Sequence, residues 1–201
     1  MTSIFFEKSR LTPELTTAIV TPRPIAWVSS CNSQGEHNLA PYSLFNLISV
    51  APPMIMLAAL SLREDGQPKD TIRNIEETHQ FVVNLADSSL KEQLNITAKN
   101  LPYGVSEFDL AQVTPSTSRL VIPPRVDEAP ISLECQYYTT IKLPSTNPKQ
   151  EFTRMILAYI VGAHINENLL ENNKLCPQKI SSLVKLGYDY YAQVSSNSIL
   201  K

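Results

Sequence analysis

Residues 131–166 read ISLECQYYTTIKLPSTNPKQEFTRMILAYIVGAHIN. Two β-type runs, residues 131–143 and 154–166, flank a polar stretch at residues 144–153, which predicts a long hairpin with a wide loop. The runs carry apolar residues at both parities, as in MILA at residues 155–158. Strands of this kind are buried on both faces. The hairpin therefore predicts a β domain whose outer surface is also covered.

Shorter β-type runs surround this hairpin. They lie at residues 24–31 (PIAWVSSC), 80–85 (QFVVNL) and 54–61 (MIMLAALS), where a short helix is the less favoured alternative, and residues 183–192 (LVKLGYDYYA) end the ordered chain. Residues 37–46 alternate weakly, and Pro41 confines them to a sheet edge, a bulge or an extended loop. Residues 72–78 and 88–99 follow polar residues and predict short helices, whereas residues 100–124 predict mostly loop. Several strands with short helices between them indicate a mostly β (α+β) Greek-key or split barrel rather than a doubly wound parallel sheet.

Length and composition set the class of protein. The 201 residues (22.4 kDa) favour a single domain, residues 1–201, with an ordered core of about residues 10–192. Hydrophobic residues make up 43% and charged residues 18%, which excludes a disordered tail or a coiled coil. The net charge of −2 argues against nucleic acid or a cationic membrane patch. The expected partners are small molecules and other copies of the chain.

The glycines exclude several common nucleotide and hydrolase motifs. The chain has only five, and no two lie close together in sequence. The dinucleotide fingerprint, the P-loop and the serine-hydrolase elbow each need closely spaced glycines. A bound nucleotide would need another phosphate site.

Cysteines and histidines give no set of metal ligands. They are scattered at Cys31, Cys135, Cys176, His37, His79 and His164. The odd cysteine count and wide spacing predict neither a disulfide framework nor a metal site. Residues 1–10 lack an apolar core of the signal-peptide kind, and the apolar stretch at residues 47–62 is broken by prolines. These features predict a cytoplasmic protein that does not enter a membrane.

Several segments, taken in order, carry a family resemblance. They are residues 21–30 (TPRPIAWVSS), 38–46 (NLAPYSLFN) with Ser49 and Pro52-Pro53, 69–75 (KDTIRNI), 81–85 (FVVNL), 107–108 (EF), 123–125 (PPR) and 133–135 (LEC). The chain resembles the flavin reductase-like family of FMN-binding split barrels, and within it the flavoredoxin-like subgroup. One departure is Tyr188, where relatives often have a second glycine after Gly187.

The resemblance implies bound FMN and suggests which residues hold it. Lys69, Asp70 and Thr71 open a predicted helix whose N–H groups favour an anion, and Arg23 adds a further charge for the phosphate. The ring and ribityl chain are assigned to one extended segment and to hydroxyl groups on the preceding strand. These residues are Asn38, Leu39, Ala40, Pro41, Tyr42, Ser43, Ser29 and Ser30.

Plainer explanations exist for the same residues. Asp70 or Thr71 can simply cap a helix while Lys69 is solvated. The serines can be solvated hydroxyls on an edge strand, and Trp27 can be ordinary core. No side chain is identified as a proton donor.

The function implied by the resemblance is an oxidoreductase. It takes hydride from NADH or NADPH and passes electrons through FMN to flavin or another acceptor. Two alternatives remain open: a flavoredoxin-like electron carrier that serves a redox partner protein, and a flavin-binding module without turnover. The resemblance also implies a homodimer with FMN at or near the interface, although the segment after Asn100 can instead cover the outer face within one chain.

Overall fold

The computed structural model describes residues 2–59, 62, 66, 69–99, 105–146 and 152–196. The α-helices of this part are α1 (Pro13–Ile19), α2 (Asp70–Thr78), α3 (Lys91–Ile96) and α4 (Glu107–Ala111). Its strands are β1 (Arg23–Pro24), β2 (Ala26–Cys31), β3 (His37–Tyr42), β4 (Phe45–Val50), β5 (Pro53–Ala59), β6 (Gln80–Leu85), β7 (Pro115–Ser116), β8 (Arg125–Val126), β9 (Ile131–Pro144), β10 (Phe152–Ile165), β11 (Leu170–Glu171), β12 (Lys174–Leu175), β13 (Ser182–Gly187) and β14 (Tyr190–Val194). Single 3-10 turns lie at Lys8–Arg10, Ser88–Leu90, Glu167–Leu169 and Pro177–Lys179.

The central feature is a seven-stranded antiparallel sheet with the order β3-β2-β6-β9-β10-β5-β4. Its two edge strands, β3 and β4, are consecutive in the chain and are joined by Ser43 and Leu44 alone. The Ala58 N–H donates a 2.8 Å hydrogen bond to the Leu44 carbonyl. The link between the two edges is thereby held against β5, and the sheet curves back on itself. The mostly β split barrel with short helices predicted from the sequence is confirmed.

The long hairpin has the predicted form. Strands β9 and β10 pair along their whole length, from Phe152 opposite Pro144 to Ile165 opposite Ile131. Register shifts after Leu157 and Ile160 give the pair the local twist that helps a sheet to curl. Most of the predicted wide loop, residues 147–151, lies outside the described residues.

Two apolar cores lie on the two faces of β2, which explains why all six of its residues are buried. Val28 faces the inside of the barrel and packs with Phe81 and Ile156. Trp27 faces outward and packs with Phe108 in a second core beneath the short helices. The interpretation of Trp27 as core is therefore confirmed by its complete burial.

Helix α2 packs against one end of the barrel. Ile72 and Ile75 of α2 belong to the inner core together with Phe81, at the end where β6 begins. The opposite end meets a separate three-stranded sheet of order β1-β13-β14. Leu183 of β13 donates to the Ala86 carbonyl, which ties this small sheet to the end of β6.

One local prediction needs correction. The predicted helix at residues 88–99 is a 3-10 turn followed by the shorter α3, and the cap of the turn is Asp87, whose side chain accepts from the Ser89 N–H. Here cap geometry prevailed over the apolar pattern. Residues 100–124, predicted to be mostly loop, are mostly irregular in their described part, where α4 and β7 are the regular elements. Residues 183–192 lie in the β13–β14 hairpin.

Tyr188, which stands where relatives often have a second glycine, lies in the β13–β14 turn. Gly187 has φ +121°, and a Cβ built on it would lie 2.6 Å from the Ala18 Cα of α1. Tyr188 follows in the left-handed conformation with φ +47°, which costs a non-glycine residue roughly 1 kcal/mol. This tight approach fixes α1 against the small sheet.

None of the helices in the described residues has the length and apolar character needed to span a bilayer.

Candidate functional site

A buried polar cluster joins the start of α2 to β2 and β3. The Thr71 hydroxyl donates a 2.6 Å hydrogen bond to the Asn38 side-chain oxygen, and the Ser30 hydroxyl donates to the same oxygen at 3.3 Å. Asn74, one turn further along α2, donates its side-chain amide to Ser30 at 3.2 Å. All four residues are buried. The cluster fixes the position of the α2 N-terminus relative to β3.

Glu107 of α4 holds the other side of Asn38. Its carboxylate accepts from the Asn38 amide at 2.9 Å and from the Leu39 N–H at 3.0 Å. Burial raises the pKa of Glu107; the bonds from Leu39 and Asn38 oppose this rise, and the nearby charge of Asp70 adds to it. A desolvated acid therefore supports the strand that carries most of the predicted ring-binding residues.

The N-terminus of α2 presents positive potential. No side chain caps the helix, and its first N–H groups have no partner inside the helix. Lys69 stands at the cap position, and burial lowers the pKa of its ammonium group. Lys69 makes no ion pair with any described residue. Helix dipole and partly desolvated cation together favour an anion at this point.

Tyr42 adds an unsatisfied hydroxyl group. Its side chain is buried, and its Oη makes no hydrogen bond of ordinary geometry within the described residues. The Thr71 hydroxyl lies nearby, and its oxygen can still accept a proton after donating its own to Asn38. Burial raises the pKa of Tyr42, so the phenol keeps its proton at neutral pH. A buried O–H without an ordinary hydrogen bond is uncommon in native proteins, so Tyr42 is a candidate donor to a ligand.

The free edge of β3 offers main-chain acceptors. The Leu39 N–H points away from β2, because it donates to Glu107. Successive residues of a strand alternate sides, so Leu39 and Pro41 face the free edge whereas Ala40 and Tyr42 face β2. Pro41 has no N–H, which suits this unpaired position. The edge therefore presents the carbonyl oxygens of Leu39 and Pro41, whereas the main-chain groups of Ala40 and Tyr42 are turned toward β2.

The predicted site residues fall into two groups. The structure brings together one group around the α2 N-terminus and β3, and Ser43 follows it at the half-buried bend into β4. This group consists of Ser30, Asn38, Leu39, Ala40, Pro41, Tyr42, Ser43, Lys69, Asp70 and Thr71. Ser30 is completely buried, and its hydroxyl supports Asn38 rather than facing a ligand.

Arg23 and Ser29 lie outside this group. The Arg23 guanidinium donates to the Thr17 and Val20 carbonyls, at the C-terminal end of α1. Ser29 projects from the opposite face of β2 from Ser30, is completely buried, and donates to the Pro124 carbonyl. Both side chains hydrogen-bond to main-chain carbonyls of neighbouring segments, and neither contacts the α2 N-terminus.

Two residues of the cluster were not among the predicted ones. They are Glu107 and Asn74, both buried and both hydrogen-bonded to the cluster. Each lies within a segment that carries the family resemblance, EF at residues 107–108 and KDTIRNI at residues 69–75. That position was the only signal for them, because the contact with Asn38 is long-range and leaves no local pattern.

The comparison with known families decides the class of this fold. The model of the flavin reductase like domain matches residues 19–185, which includes the whole barrel and the polar cluster. The chain belongs to the family of flavin reductase like domains. The resemblance found in the sequence is thus confirmed, and the family places the protein among flavin-related oxidoreductases.

Solved structures of the same flavin reductase like architecture agree. Nitrilotriacetate monooxygenase component B from Bacillus cereus is 32% identical, with a TM-score of 0.88 over 97% of both chains. The 2-nitrobenzoate 2-nitroreductase NbaA of Pseudomonas fluorescens is 30% identical, with a TM-score of 0.81 over 94% of this chain and 91% of that one. A Shewanella frigidimarina protein described as having a split barrel domain is 19% identical, with a TM-score of 0.82 over 99% of both, and supports the fold alone.

The flavin reductase like domain has a donor set that suits FMN. A phosphate at the α2 N-terminus would meet the positive end of the helix dipole and the Lys69 ammonium, and the buried Tyr42 hydroxyl has no ordinary hydrogen bond within the described residues. In contrast, within the described ranges no three His, Cys, Asp or Glu side chains converge where a metal ion could bind. The Lys69 ammonium, the α2 N-terminus and the Tyr42 hydroxyl therefore fit a flavin phosphate.

Proposed function

We propose that this protein is an FMN-binding oxidoreductase that takes hydride from NADH or NADPH and passes electrons to flavin or another acceptor. The observation that carries the proposal is the α2 N-terminus, which no side chain caps, with Lys69 at its cap position and Thr71 close to the buried Tyr42 hydroxyl. This arrangement suits a dianion attached to a polar chain, which is the phosphate and ribityl end of FMN. The flavin-related family supports the assignment.

The phosphate end is assigned to main-chain and side-chain donors. The positive end of the α2 dipole faces the phosphate, and Lys69 supplies a charge-assisted hydrogen bond. The Thr71 side chain does not contact the phosphate in this proposal; its bond to Asn38 orients the helix. Tyr42 donates to a phosphate or ribityl oxygen.

The ring is assigned to the free edge of β3. Carbonyl oxygens at Leu39 and Pro41 accept from the N–H of the flavin's pyrimidine edge. Glu107 keeps this edge in place through the Leu39 N–H and the Asn38 side chain. Bound FMN supplies the hydride chemistry, so this chain has to bind the ring, orient it and restrict water around it. Hydride transfer itself needs no side chain of this protein as a proton donor.

A homodimer completes the proposal. On the edge strand β4, Ile48 is 48% exposed and Val50 is 79% exposed. On the neighbouring strands, Met56 and Leu157 lie opposite each other with their side chains away from the inner core. Exposed apolar side chains at a sheet edge are typical of an interface. A second copy that packs its own β4 region here would bring the β3 edge, and hence FMN, close to the interface.

The identity of the acceptor is left open between two classes. Of the three similar structures, one is a monooxygenase component and another is a nitroreductase. We infer a reduced-flavin product or a small organic acceptor on these grounds, with a redox partner protein as the alternative. The expected compartment is the cytoplasm, and neither nucleic acid nor membrane is an expected partner.

The test of this function is consumption of NADH and NADPH by protein loaded with FMN, with and without excess free FMN. The proposal expects oxidation of at least one nicotinamide, faster when free FMN is present as acceptor. Protein that holds FMN tightly but consumes neither nicotinamide would instead be an electron carrier or a binding module. A Lys91→Ala variant, altered on the exposed surface of α3, serves as a control for general effects of charge removal.

A further inference from the structure

An apolar cavity lies at the end of the barrel where the small sheet packs. Its volume is about 260 Å³, and it opens to solvent. One wall comes from the inner barrel and includes Ile55, Leu133 and Ile160. The other comes from the small sheet and includes Ile25 and Leu183. The cavity therefore occupies the gap between the two sheets.

The barrel core is incomplete at this end. Leu85, Leu133 and Ile160 face the inner core, yet each is only partly buried because it borders the cavity. At the other end, Ile72 and Ile75 of α2 are almost completely buried and close the core. Protein interiors are packed about as densely as organic crystals, so a void of this volume weakens dispersion contacts unless something occupies it.

The lining selects for an apolar occupant. Asn46 and Ser182 are the only polar residues among the described residues that line the cavity, and neither carries a charge. An apolar cavity of about 150 Å³ in another protein stays dry and binds benzene. We infer that this cavity is a binding site for a neutral, mainly apolar molecule of one or two rings, with one polar group directed toward the polar lining residues.

The inferred site is separate from the proposed FMN site. Phe81 marks the end of β6 near α2, whereas Leu85 of the same strand borders the cavity. Four residues of a strand span about 13 Å. Lys69 and the α2 N-terminus contribute no residue to the cavity lining. The two sites can therefore be occupied together, and the inference stands whether or not the chain turns over FMN.

Indole is a suitable probe because it is neutral, has two rings and carries one N–H donor. Calorimetric titration of the protein is expected to give one site per chain with a Kd on the order of 0.1–1 mM, a range that suits so small a ligand. Ile160→Phe fills the cavity and is expected to weaken indole binding at least about ten-fold. Val161→Phe is the matched control, because the next residue of β10 lies outside the lining and is 37% exposed.

A second variant keeps the test informative if Ile160→Phe does not fold. Ile160→Ala enlarges the cavity and is expected to bind indole at least as tightly as the unaltered chain. The titration is also repeated with saturating FMN, where the Kd is expected to stay within about two-fold, as for independent sites. Three results would overturn the inference: no binding of indole, equal loss in Val161→Phe and Ile160→Phe, or competition between indole and FMN.

Discussion

The Thr71 hydroxyl lies 2.6 Å from the Asn38 side-chain oxygen and donates a hydrogen bond to it. This contact joins the start of α2 to β3 across 33 positions of sequence. Because Thr71 is buried, the bond is shielded from competing water. The helix start and the strand edge, which the proposal assigns to the two ends of FMN, are thus held in one fixed relation.

Lys69→Ala tests the assignment of the phosphate. A charge-assisted hydrogen bond contributes about 1.5–3 kcal/mol, so the variant is expected to bind FMN about ten- to a hundred-fold more weakly. Riboflavin lacks the phosphate, so its affinity is expected to change little. Quenching of flavin fluorescence measures both. Equal losses for the two flavins would mean that Lys69 does not contact the phosphate.

Thr71→Val tests the positioning role of the buried hydroxyl. The substitution keeps the shape of the side chain but removes the donor to Asn38, which is expected to lower the free energy of unfolding by about 1 kcal/mol. FMN and riboflavin affinities are both expected to fall, since the helix start and the β3 edge lose their fixed relation. Thr71→Ser restores the hydroxyl and is the control. Unchanged affinity for both flavins in Thr71→Val would remove Thr71 from the site.

Glu107→Gln tests the cost of the buried carboxylate. Because burial raises the pKa of Glu107, the folded protein binds its proton more tightly than the unfolded chain does. Stability from this group is therefore fully present below the ordinary glutamate pKa of about 4.3 and is lost as pH rises through the raised value. The stability of the unaltered chain relative to Glu107→Gln is expected to fall over that interval. Urea unfolding at a series of pH values measures it, and a relative stability that rises with pH would contradict the assignment.

Much of the fold could be predicted from the sequence because its cause is local. The runs at residues 131–143 and 154–166 carry their own β pattern, and the polar stretch between them marks the turn. Pro41 was correctly confined to an edge, since a residue without N–H cannot serve the interior of a ladder. The order of several short motifs then identified the family.

The site could be predicted only in part, because its cause is not local. Lys69, Thr71 and Asn38 were selected as candidates, but no sequence pattern shows that Glu107 reaches back to Asn38 from 69 positions away. Ser29 and Ser30 were both predicted to bind the flavin, although side chains alternate along β2 and therefore lie on opposite faces of the sheet. Ser29 supports the segment that ends at Pro124, and Ser30 supports Asn38.

Val50→Glu tests the proposed dimer interface. Val50 is 79% exposed on β4, so a charge there is tolerated by the single chain. In a symmetric dimer the substitution buries two unpaired charges, which is expected to weaken association by at least about a hundred-fold. Leu175→Glu, on the exposed strand β12, is the control. Sedimentation equilibrium measures the mass, and an unaltered chain that sediments as a single 22.4 kDa species with FMN bound would contradict the interface.

The absorbance spectrum of the FMN-loaded protein, recorded before and after anaerobic addition of NADH and then NADPH, tests the central claim most directly. The account predicts the visible bands of bound oxidised flavin, and their loss when one of the two nicotinamides is added. Protein that binds no FMN, or whose bound FMN keeps its oxidised spectrum with both nicotinamides, would contradict the account.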